Sequence, residues 1–342
     1  MDSGKTNSQN QFKQILRNVL NLRILIVVIV IFILLSVISP TFRTPRNILE
    51  NILRPTTVTA IIALGMTFVI ASKGLDLSVG SIAALASTFG VLSIIKLDFP
   101  IWLGILIGLI LGALYGAVNA FFITKLRVPP FIVTIATLAI GRGITLVFSG
   151  NLFTYGLPNG FRDLGRGSIL GIPTPFIILI VLWAFSLYLF TQTRVGRYAC
   201  AMGANESAAR VAGIEVDKYK SSYYIYIGIL AAIAGLITSA RANVIAITTG
   251  MGYELDAIAA VILGGTTLAG GAGSITGSVL GALMLTLLEN GLQLIGVNTF
   301  MQRVVVGIII IVGLAYATWR DAQARKEARL VNQEAKEVFI EG

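Results

Sequence analysis

Five ionisable side chains stand inside or at the edges of long apolar runs in this sequence: Asp76, Arg142, Glu254, Asp256 and Glu289. At mid-bilayer depth each costs roughly 2.5 to 3.5 kcal/mol on insertion scales, so a chain that keeps them supplies a buried partner or an aqueous path. Arg142 interrupts an otherwise apolar run and reads as a functional group facing the interior of a bundle. Asp76, two residues before Ser78, and Asp256 sit at junctions, where a helix cap and a path-lining carboxylate are equally good readings. Glu289, Asn290 and Gln293 share a helix face and offer sugar-like hydrogen bonds, or else polar glue between helices.

A second stretch carries a different kind of signal. In Gly203-Ala204-Asn205-Glu206-Ser207-Ala208-Ala209-Arg210-Val211-Ala212-Gly213-Ile214, Asn205 is placed to cap a helix whose first turn is acidic, and Gly213 to close it. The result is two turns with Ser207, Ala208 and Ala209 at the centre and Arg210 at the edge. So short a helix is not stable alone and needs a partner surface. Small in its middle and charged at its edges, it has the shape to lie in a cleft of another protein. The alternative is a loop helix resting on its own bundle.

Other chemistries are closed off. The chain has no histidine and a single cysteine, Cys200, so it forms no internal disulfide or cysteine-based metal cluster, and no nucleophile is paired with a base. Gly265-Thr266-Thr267-Leu268-Ala269-Gly270 has the glycine spacing of a phosphate-binding loop, but Gly271 and Ala272 stand where the lysine and hydroxyl residue belong. The glycines of 264–273 read instead as a broken helix or tight turn lining a cavity. A net charge of +10 raises nucleic acid as a partner, yet the cations flank apolar runs and build no aromatic-interleaved patch.

The elements that hold these residues are helices in lipid. Of 342 residues, 56% are hydrophobic and 12% charged, about half the charge of a soluble domain. Apolar stretches of near-spanning length recur ten times: Ile24–Ser39, Thr56–Ser72, Leu77–Ile95, Ile101–Ile123, Phe131–Ser149, Pro175–Phe190, Ser222–Ala240, Ala257–Ala269, Ile275–Ile295 and Val304–Thr318. The eighth is the shortest and is a candidate re-entrant segment. The first follows Lys13, Arg17 and Arg23 but lacks a small-residue cleavage site, so it reads as a retained helix, not a signal peptide.

The expectation is an all-α, polytopic bundle of about ten transmembrane helices forming one membrane domain over 1–342, with tails at 1–23 and 319–342, a bundle over 24–318 and a cytoplasmic loop at 191–221. With the N-terminus inside, seventeen of the 26 Lys and Arg lie inside and eight outside, which puts both termini in the cytoplasm. Leu75-Asp76 before Ile82-Ala83-Ala84, and Leu255-Asp256 before Ile258-Ala259-Ala260, suggest two inverted five-helix halves. Gly104, Gly108, Gly112 and Gly116 fall on one face of the fourth span and predict a centrally packed helix.

Glu206-Ser207-Ala208-Ala209, with Gly213 four residues on, resembles the Glu-Ala-Ala…Gly coupling-helix motif of ABC importer permeases, with Ser207 in place of the first alanine. Gly74-Leu75-Asp76-Leu77-Ser78-Val79-Gly80-Ser81, the stretch from Gly252 to Thr266, Glu289-Asn290-Gly291-Leu292-Gln293-Leu294 and Thr193-Arg194-Val195-Gly196-Arg197-Tyr198 are similar to the ribose, xylose and galactose permease branch. The resemblance implies a subunit of the bacterial inner membrane that is not itself an enzyme and binds no cofactor. It also implies a separate ABC ATPase chain that uses ATP and Mg, a periplasmic or lipid-anchored sugar-binding protein, and a second permease copy in a homodimer or heterodimer. An ion-coupled secondary transporter working through Asp76, Glu254 or Glu289 is the rival mechanism. A nucleoside, a branched-chain amino acid and a furanosyl signalling molecule are rival cargoes.

Overall fold

The computed structural model describes residues 22–149, 154–298, 300–309, 311–313, 315 and 323, so all but residues 22, 23 and 323 of the two expected tails lie outside the described residues. Helices α1 (Leu22–Ile38) and α2 (Pro45–Ala71) are joined by a 3-10 turn at Pro40–Arg43. Then come α3 (Val79–Lys96), α4 (Ile101–Thr124), α5 (Pro130–Ser149), α6 (Asn159–Arg166), α7 (Thr174–Gln192), α8 (Arg194–Ala204), α9 (Glu206–Val211), α10 (Val216–Ala242), α11 (Tyr253–Leu263), α12 (Ile275–Leu294) and α13 (Phe300–Gly313). Two short antiparallel pairs complete the chain: β1 (Thr154–Tyr155) with β4 (Val244–Ile245), and β2 (Ser168–Ile169) with β3 (Ile172–Pro173).

Seven helices, α2 to α5, α7, α10 and α12, are long and apolar enough to cross a membrane, and the protein is a polytopic helical bundle. Helices α1 and α13 are shorter apolar elements. The eighth expected span differs most from its sequence reading. In place of a stretch to Ala269, α11 has only 11 residues, about 17 Å, roughly half a hydrocarbon core. It stops because Gly265 takes φ +85° and the chain turns through Gly270 and Gly271 at +80° and +87°, conformations that only glycine adopts without strain.

Helices α2, α3 and α10 are enclosed over most of their length, whereas α4, α5 and α7 are buried over only about a quarter. Helix α2 tolerates its buried threonines because their hydroxyls are answered within the helix: Thr56, Thr57 and Thr67 donate to the carbonyls of Ile52, Leu53 and Ala63 at 2.7, 2.9 and 2.7 Å. The glycine face of α4 is buried as expected, but the rest of α4 is largely exposed. The helix is therefore peripheral, not central. Glycine spacing reports how closely one face docks and says nothing of what covers the other.

That docking is backbone on backbone. A side-chain carbon on Gly112 or Gly228 would overlap the other's carbonyl, and one on Gly116 would overlap the carbonyl of Tyr224, so α4 and α10 touch along their main chains. Gly235 lies as tightly against Ala83 of α3, and Gly281 against Ala260 of α11. Without a hydrophobic driving force in lipid, close van der Waals packing of this kind supplies helix association.

At the end of the bundle away from α9, the strap 154–173 lies across the helices. Phe161 and Leu157 are buried with Val91, Ile94, Leu236 and Ala240. Arg54 donates to the carbonyls of Gly165 and Arg166 at 3.2 and 2.8 Å and closes the end of α6. Asn243, in the left-handed region at φ +59°, accepts from the Leu157 amide at 3.0 Å.

Gly228→Ala should lower stability by about 1–3 kcal/mol through overpacking. Gly143→Ala, at a helical position with nothing within 4 Å of the added carbon, should be neutral or stabilising by up to about 1 kcal/mol. Thermal unfolding of both variants in detergent checks the contrast, and equal effects would contradict the main-chain crossing of α4 and α10.

Candidate functional site

Two regions gather the residues picked out from the sequence. The first is α9. The Asn205 side chain accepts from the Ala208 amide at 3.0 Å, and Gly213 sits at φ +81°. The amides of Gly213 and Ile214 reach back to the carbonyls of Arg210 and Ala209 at 3.0 and 3.1 Å, the paired bonds of a Schellman closure. Only Ala209 of the six residues is buried. Ser207, Ala208 and Val211 face outward, and Val211 is 91% exposed.

Ion pairs fix the helix to its surroundings. Glu206 meets Lys220 at 2.6 Å and Arg210 at 2.9 Å, and Arg210 also meets Asp217 at 2.7 Å. Partial burial raises the pKa of the Glu206 carboxyl, but hydrogen bonds from Lys220 and Arg210 outweigh it and leave the group below the usual carboxylate range. Its contribution to holding α9 is therefore complete above the ordinary carboxylate pKa and is lost as pH falls through the lowered value. The preceding helix α8 is seated more rigidly. Gly203 lies against the carbonyl of Ala71 at the end of α2, and that carbonyl accepts from the Gly271 amide at 2.9 Å. The glycine turn 264–273, the end of α2 and α8 thus meet main chain to main chain.

The second region is in the middle of the bundle. The start of α3 and the segment leading into α11 cross at Gly80 and Gly250, where a side-chain carbon on either would overlap the other's carbonyl. The Glu254 carboxylate lies beside Gly80. Arg142, from α5, donates to the carbonyls of Thr249 at 2.6 Å and Ile247 at 3.4 Å, and Arg142 and Glu254 attract each other electrostatically.

Just before α3, Asp76 is fully buried. Its Oδ1 accepts from the amide and hydroxyl of Ser78 at 2.8 and 2.6 Å. This is an Asx turn just ahead of the helix, whose N-cap is Ser78, so Asp76 shapes the entrance without capping a helical amide. Asn119 of α4 donates to the Ser78 hydroxyl at 2.8 Å, and the Tyr224 hydroxyl donates to the Leu75 carbonyl at 3.2 Å. Three buried acceptor atoms here have no hydrogen-bond partner: Asp76 Oδ2, Asn119 Oδ1 and Glu254 Oε2. Such atoms call for a donor brought by something else.

The structure thus brings Asp76, Ser78, Arg142 and Glu254 around one crossing. It leaves the remaining candidates elsewhere. Asp256, in the first turn of α11, lies within electrostatic reach of Glu289 and Arg303. Asn290 exchanges two hydrogen bonds with Asn47 at 2.8 and 3.1 Å, so its amide ties α12 to α2. Gln293 is exposed one turn on. The shared face of Glu289, Asn290 and Gln293 therefore does not act as one polar surface. Sequence reasoning missed Asn119, although an amide three residues past Gly116 on the glycine face was visible. Nothing in the sequence marked Thr249 or Asn47.

Residues 48–314 match the family described as branched-chain amino acid transport system / permease component. The chain belongs to that family. It is similar to the ribose import permease protein RbsC of Haemophilus influenzae, 40% identical over 88% of this chain and 94% of the relative. RbsC of Bacillus subtilis is 44% identical over 83% and 88%, and the D-allose transport system permease protein AlsC of Escherichia coli is 35% identical over 85% and 89%. No solved structure matches.

Arg142→Met should destabilise this permease by about 1–3 kcal/mol, because it strips the donor from two part-buried carbonyls and removes the charge that attracts Glu254. Adding Glu254→Gln should recover part of that loss. Unfolding midpoints of the two single variants and the double variant in detergent report it, and strict additivity would contradict the electrostatic link.

Proposed function

We propose that this chain is the membrane-spanning subunit of a bacterial ATP-driven importer that carries a monosaccharide by alternating access. The observation that carries the reading is α9. It is too short to persist on its own, yet it is closed at both ends, anchored by Glu206 and Arg210, and presents Ser207, Ala208 and Val211 to whatever lies beyond. A surface of that kind suits a partner that pushes.

The partner is a separate ATPase subunit that binds ATP and Mg, since the glycine turn 264–273 has no lysine to hold a phosphate. The excess of Lys and Arg expected on the α9 side supports a cytoplasmic position for that end, in a cell with this chain in its inner membrane. An external sugar-binding protein delivers the solute, and a second permease copy, identical or a sister chain, completes the path.

A monosaccharide is favoured over an amino acid by the chemistry of the crossing as well as by the ribose and D-allose permeases among the relatives. Asp76 Oδ2, Asn119 Oδ1 and Glu254 Oε2 are acceptors without donors, and a ring of hydroxyls supplies donors. The carboxylate of an amino acid would instead meet Asp76 and Glu254 with Arg142 as the cation bonded at the crossing. In this reading Gly80 against Gly250 is the closed constriction, and the neighbouring acceptors pass hydroxyls when it opens.

The test is uptake of D-ribose by proteoliposomes containing this chain, its ATPase and its binding protein. Uptake should require ATP and all three components. Gly213→Val, which forces a β-branched residue to φ +81° in open space at about 1–3 kcal/mol of strain, should cut it by about tenfold or more while leaving membrane insertion intact. Accumulation by the chain alone, or undiminished uptake by Gly213→Val, would defeat the reading.

A further inference from the structure

Helix α5 meets the bundle along a narrow stripe: Val133, Thr134, Thr137, Gly141 and Thr145 are its buried residues. The three threonines spend their hydroxyls on carbonyls of their own helix, Pro130, Val133 and Gly141, at 2.9, 3.0 and 2.8 Å. The face turned to the bundle therefore has few polar ties to other elements, and Gly141 packs tightly against Ser81 and Tyr115. Among the described residues, Tyr115 donates to the Thr137 carbonyl, and Arg142 holds Thr249 and Ile247. Just before the helix, Arg127 grips Asp217 with both guanidinium arms at 2.8 Å each.

Arg127 sits at φ +58°, a left-handed conformation that few non-glycine residues adopt, and Pro129 and Pro130 follow it, so its pull passes into α5 through a stiff joint. Asp217, in the first turn of α10, is also the residue that Arg210 of α9 grips. Arg127 is 55% exposed and Asp217 28% exposed. Pairs so open to water add little to stability, but a two-armed Arg–carboxylate contact fixes direction as well as distance. From the start of α5 to Arg142 is about 18 Å of helix.

We infer that Arg127 is a positioning residue which, through Asp217 and Arg210, ties the α9 surface to α5, so that a displacement of α9 reaches Thr249 at the crossing through Arg142. The inference rests on the importer reading and adds the route by which work received at α9 arrives at the constriction. A helix with few polar ties along its buried face, held at one end by the α9 network and bonded beyond its midpoint to the constriction, is suited to move as a unit.

The complete importer in proteoliposomes tests it, with ATP hydrolysis measured with and without loaded binding protein and D-ribose uptake measured in parallel. Arg127→Ala should keep the ATPase bound, the unfolding midpoint unchanged and basal hydrolysis within about twofold. Stimulation by loaded binding protein and uptake per ATP should fall by about tenfold, within the range that residues along a coupling network command. Arg127→Lys, with one charged contact in place of two, should fall between, and Arg127→Ala with Asp217→Ala should be no worse than Arg127→Ala alone. Normal stimulation and uptake in Arg127→Ala would overturn the inference. So would loss of bound ATPase, a lowered midpoint, or an additive double variant, each of which makes Arg127 a docking or stability residue. Absence of ATP-driven uptake in the unsubstituted importer would instead sink the importer reading itself.

Discussion

Lipid offers no water to an unpaired amide or carbonyl, so every departure from helix inside this bundle has to be answered by another part of the chain. Among the described residues, three departures stand out: the loop that brings Asp76 to the start of α3, the segment 243–252 that leads to α11, and the turn 264–273 beyond it. The first is closed by Ser78, Asn119 and Tyr224. In the second, Arg142 bonds the carbonyls of Thr249 and Ile247. The third is bonded to the last carbonyl of α2. Glycines at Gly80, Gly250, Gly264 and Gly277 let the backbones come close enough for this to work. The polar machinery and the tight packing are thus two sides of one requirement.

The α9 end obeys different rules because water is available there. Helix α9 gains from caps and ion pairs, each worth little when exposed, and its stability comes from several small terms acting on six residues. Such an element can change its hold without unfolding anything else. The bundle behind it, closed by main-chain contacts between α8, α2 and the glycine turn, cannot. A soft receiving surface on a stiff body is what transmission of a push requires.

Much of this was legible in the sequence, and the failures have physical causes. Caps are local, so Asn205 and Gly213 announced α9 correctly. Several spans begin outside their apolar runs, since α2 starts at Pro45 and α10 at Val216, and at α11 left-handed glycines ended a helix that hydropathy alone would extend. In lipid a helix can be apolar all round whether or not it is buried, so periodicity carries little information about depth, and α4 was taken for a central helix when only its glycine face is covered. Pairings between distant elements leave no local trace. Asn47 and Asn290 stand 243 positions apart, and Arg127 gave no hint of Asp217, 90 positions on.

The two sides of the crossing are not equally held. Helix α3 is pinned to α10 where Gly235 meets Ala83 and to α4 where Gly90 faces Gly104, so its start cannot shift without breaking main-chain contacts along its length. Helix α11 is pinned to α12 at Gly264 and Gly281, beyond the crossing. The segment before α11 carries Gly250 and Gly252 at φ +74° and +85°, and Gly250 touches Gly80 main chain to main chain. Arg142 bonds this segment through the carbonyls of Thr249 and Ile247. Because Arg142 belongs to α5, whose buried face is narrow, movement there disturbs less packing than a shift of α3 would. The same arginine that attracts Glu254 also bonds the carbonyls of the segment before α11, so a charge that is expensive in lipid is answered from both sides.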